Sequence, residues 1–378
     1  MKIIASKSKI ESTATMLSKV INPKNSLPIL ADILCEVTNN QLTMTASDSE
    51  TTISRTIDLD TMEGEGRFCV PAVQLVNAMQ QLREQPVTII ATIESNYILT
   101  LQYDQGETYF PIDHAEDYPM PTPEQFTEQL EIVGSTIKDA LKRCSWCTAN
   151  DALRIPMQGV YFGLKKGMLD IAATDAYRIA LSVCQVNARE DRESSFIMPS
   201  KVANFLPNLL CYDNVTLQWN DRYCTMTIAP YTLTFRLIDG KFPNYDAIIP
   251  KDTPLNAVVS RSELMTAIKS VFPFGDENTS GRLIRFDFNR NQLRLKAQSI
   301  GNACGSEYTI EADFFSDDFT IGFSGKGIMS VLSHVEDTDV SFGMTDEKHV
   351  ALVQPTEHPA DCTVYFVISP MIITSEDD

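Results

Sequence analysis

A chain of 378 residues, 43% apolar and 21% charged, is long enough for two or three ordinary domains, and its composition is that of a globular protein. Its net charge of −19 argues against a uniformly basic polyanion binder, and its nine cysteines, an odd number scattered singly in apolar contexts, point to reduced core thiols. No stretch approaches the roughly 18–20 apolar residues of a membrane span, and MKIIASKSKIESTATML has no apolar run of signal-peptide length, so a cytoplasmic, non-membrane protein is expected.

Met1–Ser6 reads as a strand. Lys7–Asn22 reads as a helix, with Ile10, Ala14, Leu17 and Ile21 on one face and Asn22-Pro23 ending it. Ser26–Val37 reads as a strand with a turn leading in, and Leu42–Ser54 as strand, turn, strand. Pro71–Glu84 is a second helix, with proline at its first position. Strands follow at Val87–Ile93, Tyr97–Tyr103 and Glu107–Ile112 before the proline-rich EDYPMPTPE. The same plan restarts near Leu130, with helices at Ser135–Thr148 and Pro199–Leu210. Its strands are Gly159–Leu164, Leu169–Ala173, Tyr177–Ser182, Phe196–Met198, Val215–Trp219, Cys224–Ile228 and Leu233–Leu237. A third round has helices at Arg261–Pro273 and Ser324–Glu336 and strands at Leu283–Phe288, Leu293–Gln298, Val340–Met344, Val350–Gln354 and Thr363–Ile368.

The repetition is the strongest signal. LDIAATDAYRIALS, starting at Leu169, has a twin in LTMTASDSETTIS, starting at Leu42, and a weaker echo in LRLKAQSIGNACGSEY, starting at Leu293. Asp48 and Asp175 lie about 127 positions apart, and the helix starts and the closing aspartates Asp113 and Asp239 keep nearly the same period. Three homologous units of βαβββ type, two helices each, are expected. The helical segments are basic or neutral while the remainder is strongly acidic, which segregates one phosphate-attracting surface from another that repels phosphate. No helix interleaves aromatic and basic residues for base stacking, so nucleic-acid contact would be weak and sequence-independent.

Enzymatic readings fare poorly. CSWC, Cys144–Cys147, has redox spacing but lies in an amphipathic helix without a second such pair. Thr174, Asp175 and Arg178 lack a nucleophile–base partner and read as a turn held by Asp175 and Arg178. No glycine-rich loop has phosphate-binding spacing. The histidines, His114, His334, His349 and His358, read as surface or loop residues. No catalytic residue, metal or cofactor is therefore expected.

Taken in order, SLPILADILCEV, SDSETTIS, FPIDHAEDYPMP, ATDAYRIA, KFPNYDAIIP and the carboxy-terminal YFVISPM resemble the bacterial DNA polymerase III beta subunit family, the replicative sliding clamps, over Met1 to Met371. The resemblance implies an α+β fold of three duplicated clamp domains, each with two helices packed on antiparallel sheets, at 1–122, 130–250 and 254–378. It implies a head-to-tail homodimeric ring around double-stranded DNA that tethers the polymerase alpha subunit, the clamp loader and other clamp-binding-motif proteins without catalysis.

By the same resemblance, a partner-peptide cleft would comprise Met157, Thr174, Tyr177, Arg178, Ile179, Pro243, Ile248, Val367, Pro370 and Met371. Lys24, Lys138, Lys142, Arg154, Lys201, Lys269 and Lys326 would face DNA, and Phe110, Phe272 and Phe274 would anchor the dimer. This chain departs from the family pattern in several places. Ala176-Tyr177 stands where Gly-His is usual, Ser369 where a second methionine is, Ile372 where an arginine is, and Ile155-Pro156 where aromatics are. The tail SEDD runs past the usual end.

Overall fold

In the computed structural model, each of the six helices among the described residues starts at the residue after a strand stops. The structure describes residues 1–373 apart from 23, 94–96, 121–124, 189–190, 278, 280 and 300; the SEDD tail and part of the proline-rich stretch fall outside them. The direct junction is natural, because a helix N-cap residue has extended backbone angles and can also end a strand. Ser260 and Ser324 do both, their hydroxyls accepting hydrogen bonds from the backbone N–H of Glu263 and Gly327.

The chain forms two compact units, Met1–Gly134 with Leu209–Leu237, and Ser135–Asn208 with Ile238–Asp378. The first unit contains β1 (Lys2–Ser6), α1 (Lys7–Ser18), β2 (Asp32–Thr38), β3 (Gln41–Ser47), β4 (Thr51–Asp58), β5 (Thr61–Glu63) and β6 (Gly66–Pro71). It continues with α2 (Ala72–Gln81), β7 (Pro86–Thr92), β8 (Ile98–Tyr103), β9 (Gly106–Pro111) and β10 (Glu128–Val133). After β10 comes α3 (Gly134–Cys144), which leads into the second unit. That unit holds β11 (Gly159–Lys165), β12 (Met168–Thr174), β13 (Arg178–Gln185), β14 (Glu193–Pro199) and α4 (Ser200–Phe205). The chain then returns to the first unit as β15 (Asn214–Trp219), β16 (Tyr223–Ile228) and β17 (Tyr231–Arg236). The second unit is completed by β18 (Leu255–Ser260), α5 (Arg261–Val271), β19 (Leu283–Asn289), β20 (Gln292–Ser299), β21 (Cys304–Glu311) and β22 (Asp313–Phe314). Then come β23 (Phe319–Ser324), α6 (Gly325–Leu332), β24 (Asp339–Met344), β25 (Ala351–Pro355) and β26 (Cys362–Ile368).

Unit one has a five-stranded sheet, β5-β1-β7-β8-β9, and an eight-stranded sheet, β10-β15-β16-β17-β4-β3-β2-β6. Unit two has a nine-stranded sheet, β14-β11-β12-β13-β26-β25-β24-β18-β22, and a four-stranded sheet, β21-β20-β19-β23. Two pairings join remote parts of the chain: β4 with β17, Ile53 facing Leu233, and β13 with β26, Ile179 facing Val367. Helices pack in pairs, α1 on α2 and α5 on α6, through apolar stripes such as Ile10, Ala14 and Leu17 or Leu264, Ile268 and Val271.

Several boundaries differ from expectation. The first helix ends at Ser18, not Asn22. Residues Pro28–Ala31 form a 3-10 turn, so β2 starts at Asp32, not Ser26. The third and fourth helices tighten into 3-10 turns at Ser145–Cys147 and Leu206–Asn208, the usual way to satisfy last-turn carbonyls. The expectation of reduced thiols alone is corrected: Cys184 and Cys362 form a disulfide between β13 and β26. Spacing in sequence gave no sign of it, because the two residues are 178 positions apart and become neighbours only through the ladder.

Candidate functional site

The turn between β12 and β13 is closed by its own side chains. Asp175 Oδ1 accepts the backbone N–H of Tyr177 and Arg178 at 3.0 and 2.7 Å. Thr174 Oγ1 accepts from Ala176 N–H and donates to the Arg178 carbonyl. Asp and Thr suit the turn because their short side chains reach the backbone two and three residues on. Ala176 takes a positive φ of 78°, a conformation that costs a residue with a Cβ on the order of 1 kcal/mol.

Arg178 is held on two sides. Its Nε and Nη2 donate to Asp175 Oδ2 at 3.0 and 2.5 Å, and its guanidinium lies 5.2 Å from the centre of the Trp146 ring. Trp146 stacks on His334 at 4.7 Å, donates its indole N–H to the Arg143 carbonyl and leans on Phe366 of β26. The fork is pre-organised, so little side-chain entropy remains to be lost when a ligand arrives.

Beside this turn, Ile179 and Val367 join a buried apolar cluster with Ala172, Leu181, Ile197, Phe242, Tyr245 and Leu352. Phe242 and Tyr245 come from the loop after Gly240. Tyr245 opens a 3-10 turn whose carbonyl accepts from Ile248 N–H, and its hydroxyl donates to Asp170 Oδ2 at 2.6 Å. Burial pushes the Asp170 carboxyl up from its ordinary range, and burial together with that carboxylate pushes the Tyr245 phenol up. The tyrosine therefore stays a neutral donor and the loop is pinned. Gly240 has φ 120° and admits Pro156 against it, which brings the stretch holding Met157 beside the same loop.

The carboxy-terminal strap completes the region. Ser369 N–H donates to the Tyr177 carbonyl at 2.9 Å, and Met371 N–H to the Gly322 carbonyl at 2.8 Å. The expected residues thus separate into two layers. Thr174, Ile179 and Val367 are buried and act as foundation. Met157, Arg178, Pro243, Pro370 and Met371 are half-buried, while Tyr177 at 71% and Ile248 at 45% exposure face outward. Phe242, Tyr245 and Leu352 belong to the cluster and Trp146 to the mounting of Arg178. The aromatic pair in KFPNY marks Phe242 and Tyr245 in the sequence; Leu352 and Trp146 carry no such mark.

Of the basic residues, Lys24, Lys142, Arg154, Lys201, Lys269 and Lys326 are exposed and Lys138 is half-buried. Lys142 and Arg154 have loose acidic neighbours, Asp139 at 3.9 Å and Asp151 at 3.6 Å. Phe110 turns into the core of its own unit, whereas Tyr109, the residue before it on β9, is 70% exposed. Phe272 is half-buried under Arg282, and Phe274 is exposed. In CSWC, Cys144 and Cys147 are buried and unbonded. Burial pushes the Cys144 thiol up to about 12 and the Cys147 thiol up as well, the opposite of what a redox nucleophile needs. No group of three metal-ligating side chains occurs among the described residues, and no described helix is long and apolar enough to cross a membrane.

Three consecutive family models match the chain: the N-terminal domain of the DNA polymerase III beta subunit at 1–122, the central domain at 131–244 and the C-terminal domain at 246–371. Relatives include the beta sliding clamp of Vibrio cholerae, 26% identical and covering 98% of this chain and 100% of that one, and that of Haemophilus influenzae, 24% identical over 93% and 94%. Among solved structures, the DnaN sliding clamp of Pseudomonas aeruginosa bound to griselimycin superposes with a TM-score of 0.92 at 22% identity, over 99% of this chain and all of the other. The beta subunit of Thermotoga maritima gives 0.87 at 23% identity, over 99% of this chain and all of the other. With three matched domains following one another from Met1 to Met371 on a scaffold of the same topology, the chain belongs to the DNA polymerase III beta subunit family, built from three clamp domains.

Proposed function

We propose that the chain acts as a sliding clamp of DNA replication. Two copies close head to tail into a ring around duplex DNA and hold partner proteins through the site next to the Asp175 turn.

The observation that carries the ring is a pairing rule satisfied twice and left open once. The fourth strand of the first repeat, β4, pairs with β17, and that of the second repeat, β13, pairs with β26. The matching strand of the third repeat, β21, is an edge of its sheet, and so is β9, the first repeat's counterpart of β17 and β26. An edge strand offers a row of donors and acceptors to another chain. In this reading β21 of one copy takes β9 of the next, which two copies satisfy mutually. Exposed Tyr109 on β9 and Tyr308 on β21, with Phe272 and Phe274 nearby in sequence to the third repeat's helix and Phe110 behind Tyr109, supply apolar contact. Domains at 1–122, 130–250 and 254–378 would then alternate around the ring.

Lys24, Lys138, Lys142, Arg154, Lys201, Lys269 and Lys326 contact phosphates without reading bases, and the acidic remainder keeps DNA from the outer surface. The ring performs no chemistry; it tethers others. Tyr177, Ile248, Pro370 and Met371 form the accessible rim of a cleft for short linear peptides of the polymerase alpha subunit, the clamp loader and other partners. Such segments bind moderately and exchange, because they lose conformational freedom on docking.

The deciding experiment loads the protein on nicked circular DNA and then linearises it. Retention on the circle and loss from the linear form is expected; equal retention on both overturns the ring. Tyr109→Asp should give a monomer at micromolar concentration in sedimentation. Deleting residues 370–378 should leave the dimer intact and weaken binding of a polymerase-derived peptide at least tenfold.

A further inference from the structure

We propose that the Cys184–Cys362 bond is a reversible lock on the β13–β26 joint, opened and closed by thiol–disulfide exchange with a low-molecular-weight thiol or its disulfide. The two cysteines are direct partners in the ladder, at its far end from the pair Ile179 and Val367. Past them, one backbone bond, from Gln185 N–H to the Asp361 carbonyl at 3.0 Å, prolongs the contact. The two strands come from opposite ends of a 178-residue span, so the sulfur bridge is the covalent tie at that contact, and hydrogen bonds and side-chain packing do the rest.

The chemistry is directional because the two sulfurs differ in access. Cys184 is fully buried, whereas Cys362 follows an exposed run, 356–361, and keeps 8% of its surface. In opening, an external thiolate attacks Cys362 Sγ, forming a mixed disulfide and expelling Cys184 sulfur, which takes a proton. A second external thiol then displaces Cys362, so two small thiols become one small disulfide and two protein thiols form. Closing runs in reverse: a small disulfide is reduced to two thiols as the protein pair is oxidised, and the two cysteine protons pass to the departing thiolates.

The other cysteines do not compete. Cys35, Cys69, Cys144, Cys147 and Cys224 are buried, and exposed Cys211 and Cys304 lie on other elements. The consequence is local. With the lock closed, the ladder that carries Ile179 and Val367 is pinned at both ends, by the Asp175 turn and by the bridge. With it open, the Cys362 end frays and the foundation of the site loosens.

The test uses the full chain alone, in glutathione buffers from oxidised to reduced, so it is independent of DNA and partners. After acid quench, denaturation and alkylation with N-ethylmaleimide, peptide mass spectrometry should find Cys184 and Cys362 joined in one cross-linked peptide in oxidised buffer and both alkylated in reduced. Hydrogen exchange should quicken at least tenfold on reduction in residues 181–185 and 362–366, with β11 and β14 unchanged. A Cys362→Ser variant should match the reduced form's hydrogen exchange in both buffers. Alkylated Cys184 and Cys362 at every glutathione ratio, or exchange in the two strands that ignores the buffer, would overturn the proposal; so would a cross-linked peptide that persists in reduced buffer, which would make the bridge permanent.

Discussion

Asp48 and Asp175 build the same turn twice. Asp48 Oδ1 accepts the backbone N–H of Glu50 and Thr51 at 3.1 and 2.7 Å, as Asp175 does two and three residues on. Ser49 and Ala176 share a positive φ of 80° and 78°. Beyond both turns, the next strand stays paired with its own repeat on one edge and pairs with a strand of the following repeat on the other. What separates the copies is the residue three after the aspartate. Thr51 in the first is small and buried against β17, whereas Arg178 in the second projects, binds Asp175 Oδ2 and lies against Trp146. The two copies share a scaffold, and a few side chains on one of them set its turn apart.

That contrast can be broken or sharpened by measurement. The largest effect concerns Asp32, which the second copy replaces with a glycine, Gly159, at the repeat-equivalent position. Asp32 is 5% exposed, and burial, then the charge of Asp113 and a hydrogen bond with its carboxyl, raises its pKa to about 7. The folded state therefore holds a proton that the unfolded chain releases near pH 4. Stability from this group is full below pH 4, is lost as pH climbs toward 7 and is gone above, a change on the order of 3–4 kcal/mol. Asp32→Asn should flatten that slope and make the protein more stable than its parent at pH 8. A parental slope retained in the variant would assign it elsewhere.

Next is the turn itself. Asp175→Ala should cost about 3 kcal/mol and Asp48→Ala about 2, since only the former also strands a partly buried arginine. Native-state hydrogen exchange in β13 and in β4 reads the two separately, and equal losses would mean the Arg178 pair adds nothing. Trp146→Leu should cost about 1 kcal/mol in the same assay through the lost cation–π contact and indole hydrogen bond. Smallest are Ser49→Gly and Ala176→Gly. Each relieves a positive φ and should gain roughly 0.5 kcal/mol, alike in both copies; unlike gains would show the turns are strained differently.

The sequence made the hairpins and helix starts readable because each carries local chemistry: Asp–Thr turns, apolar stripes, prolines at boundaries. Strands β6, β10, β18 and β23 were not readable. Each is six residues long, runs straight into a helix and has too few alternations to stand apart from it. The pairing of β4 with β17 and of β13 with β26 left no local trace, since a repeat shows that strands recur, not whom they bond. Near the Asp175 turn, the residues singled out by motif lie together: Ile179 and Val367 in one buried cluster, Arg178 on the turn and Tyr177 exposed beside it. Trp146 is not among them, since its role depends on α6 and β26 arriving beside it. Alternation within β9 fixes which residues share a face but not which face is buried, so the sequence alone did not tell that Phe110 turns inward and Tyr109 outward.

The long-range joints also set a timetable for synthesis. Strand β13 leaves the ribosome well before β26, whose first residue lies 178 positions after Cys184, and β4 precedes β17 by a similar span. At roughly 5–20 residues per second, each waits on the order of ten to forty seconds with one edge open. During that interval a nascent chain offers an apolar ladder to any neighbour, and polysomes carry several such chains side by side. Expression yield should therefore depend on elongation rate and on chaperones that cover strand edges more than on the stability of the finished protein.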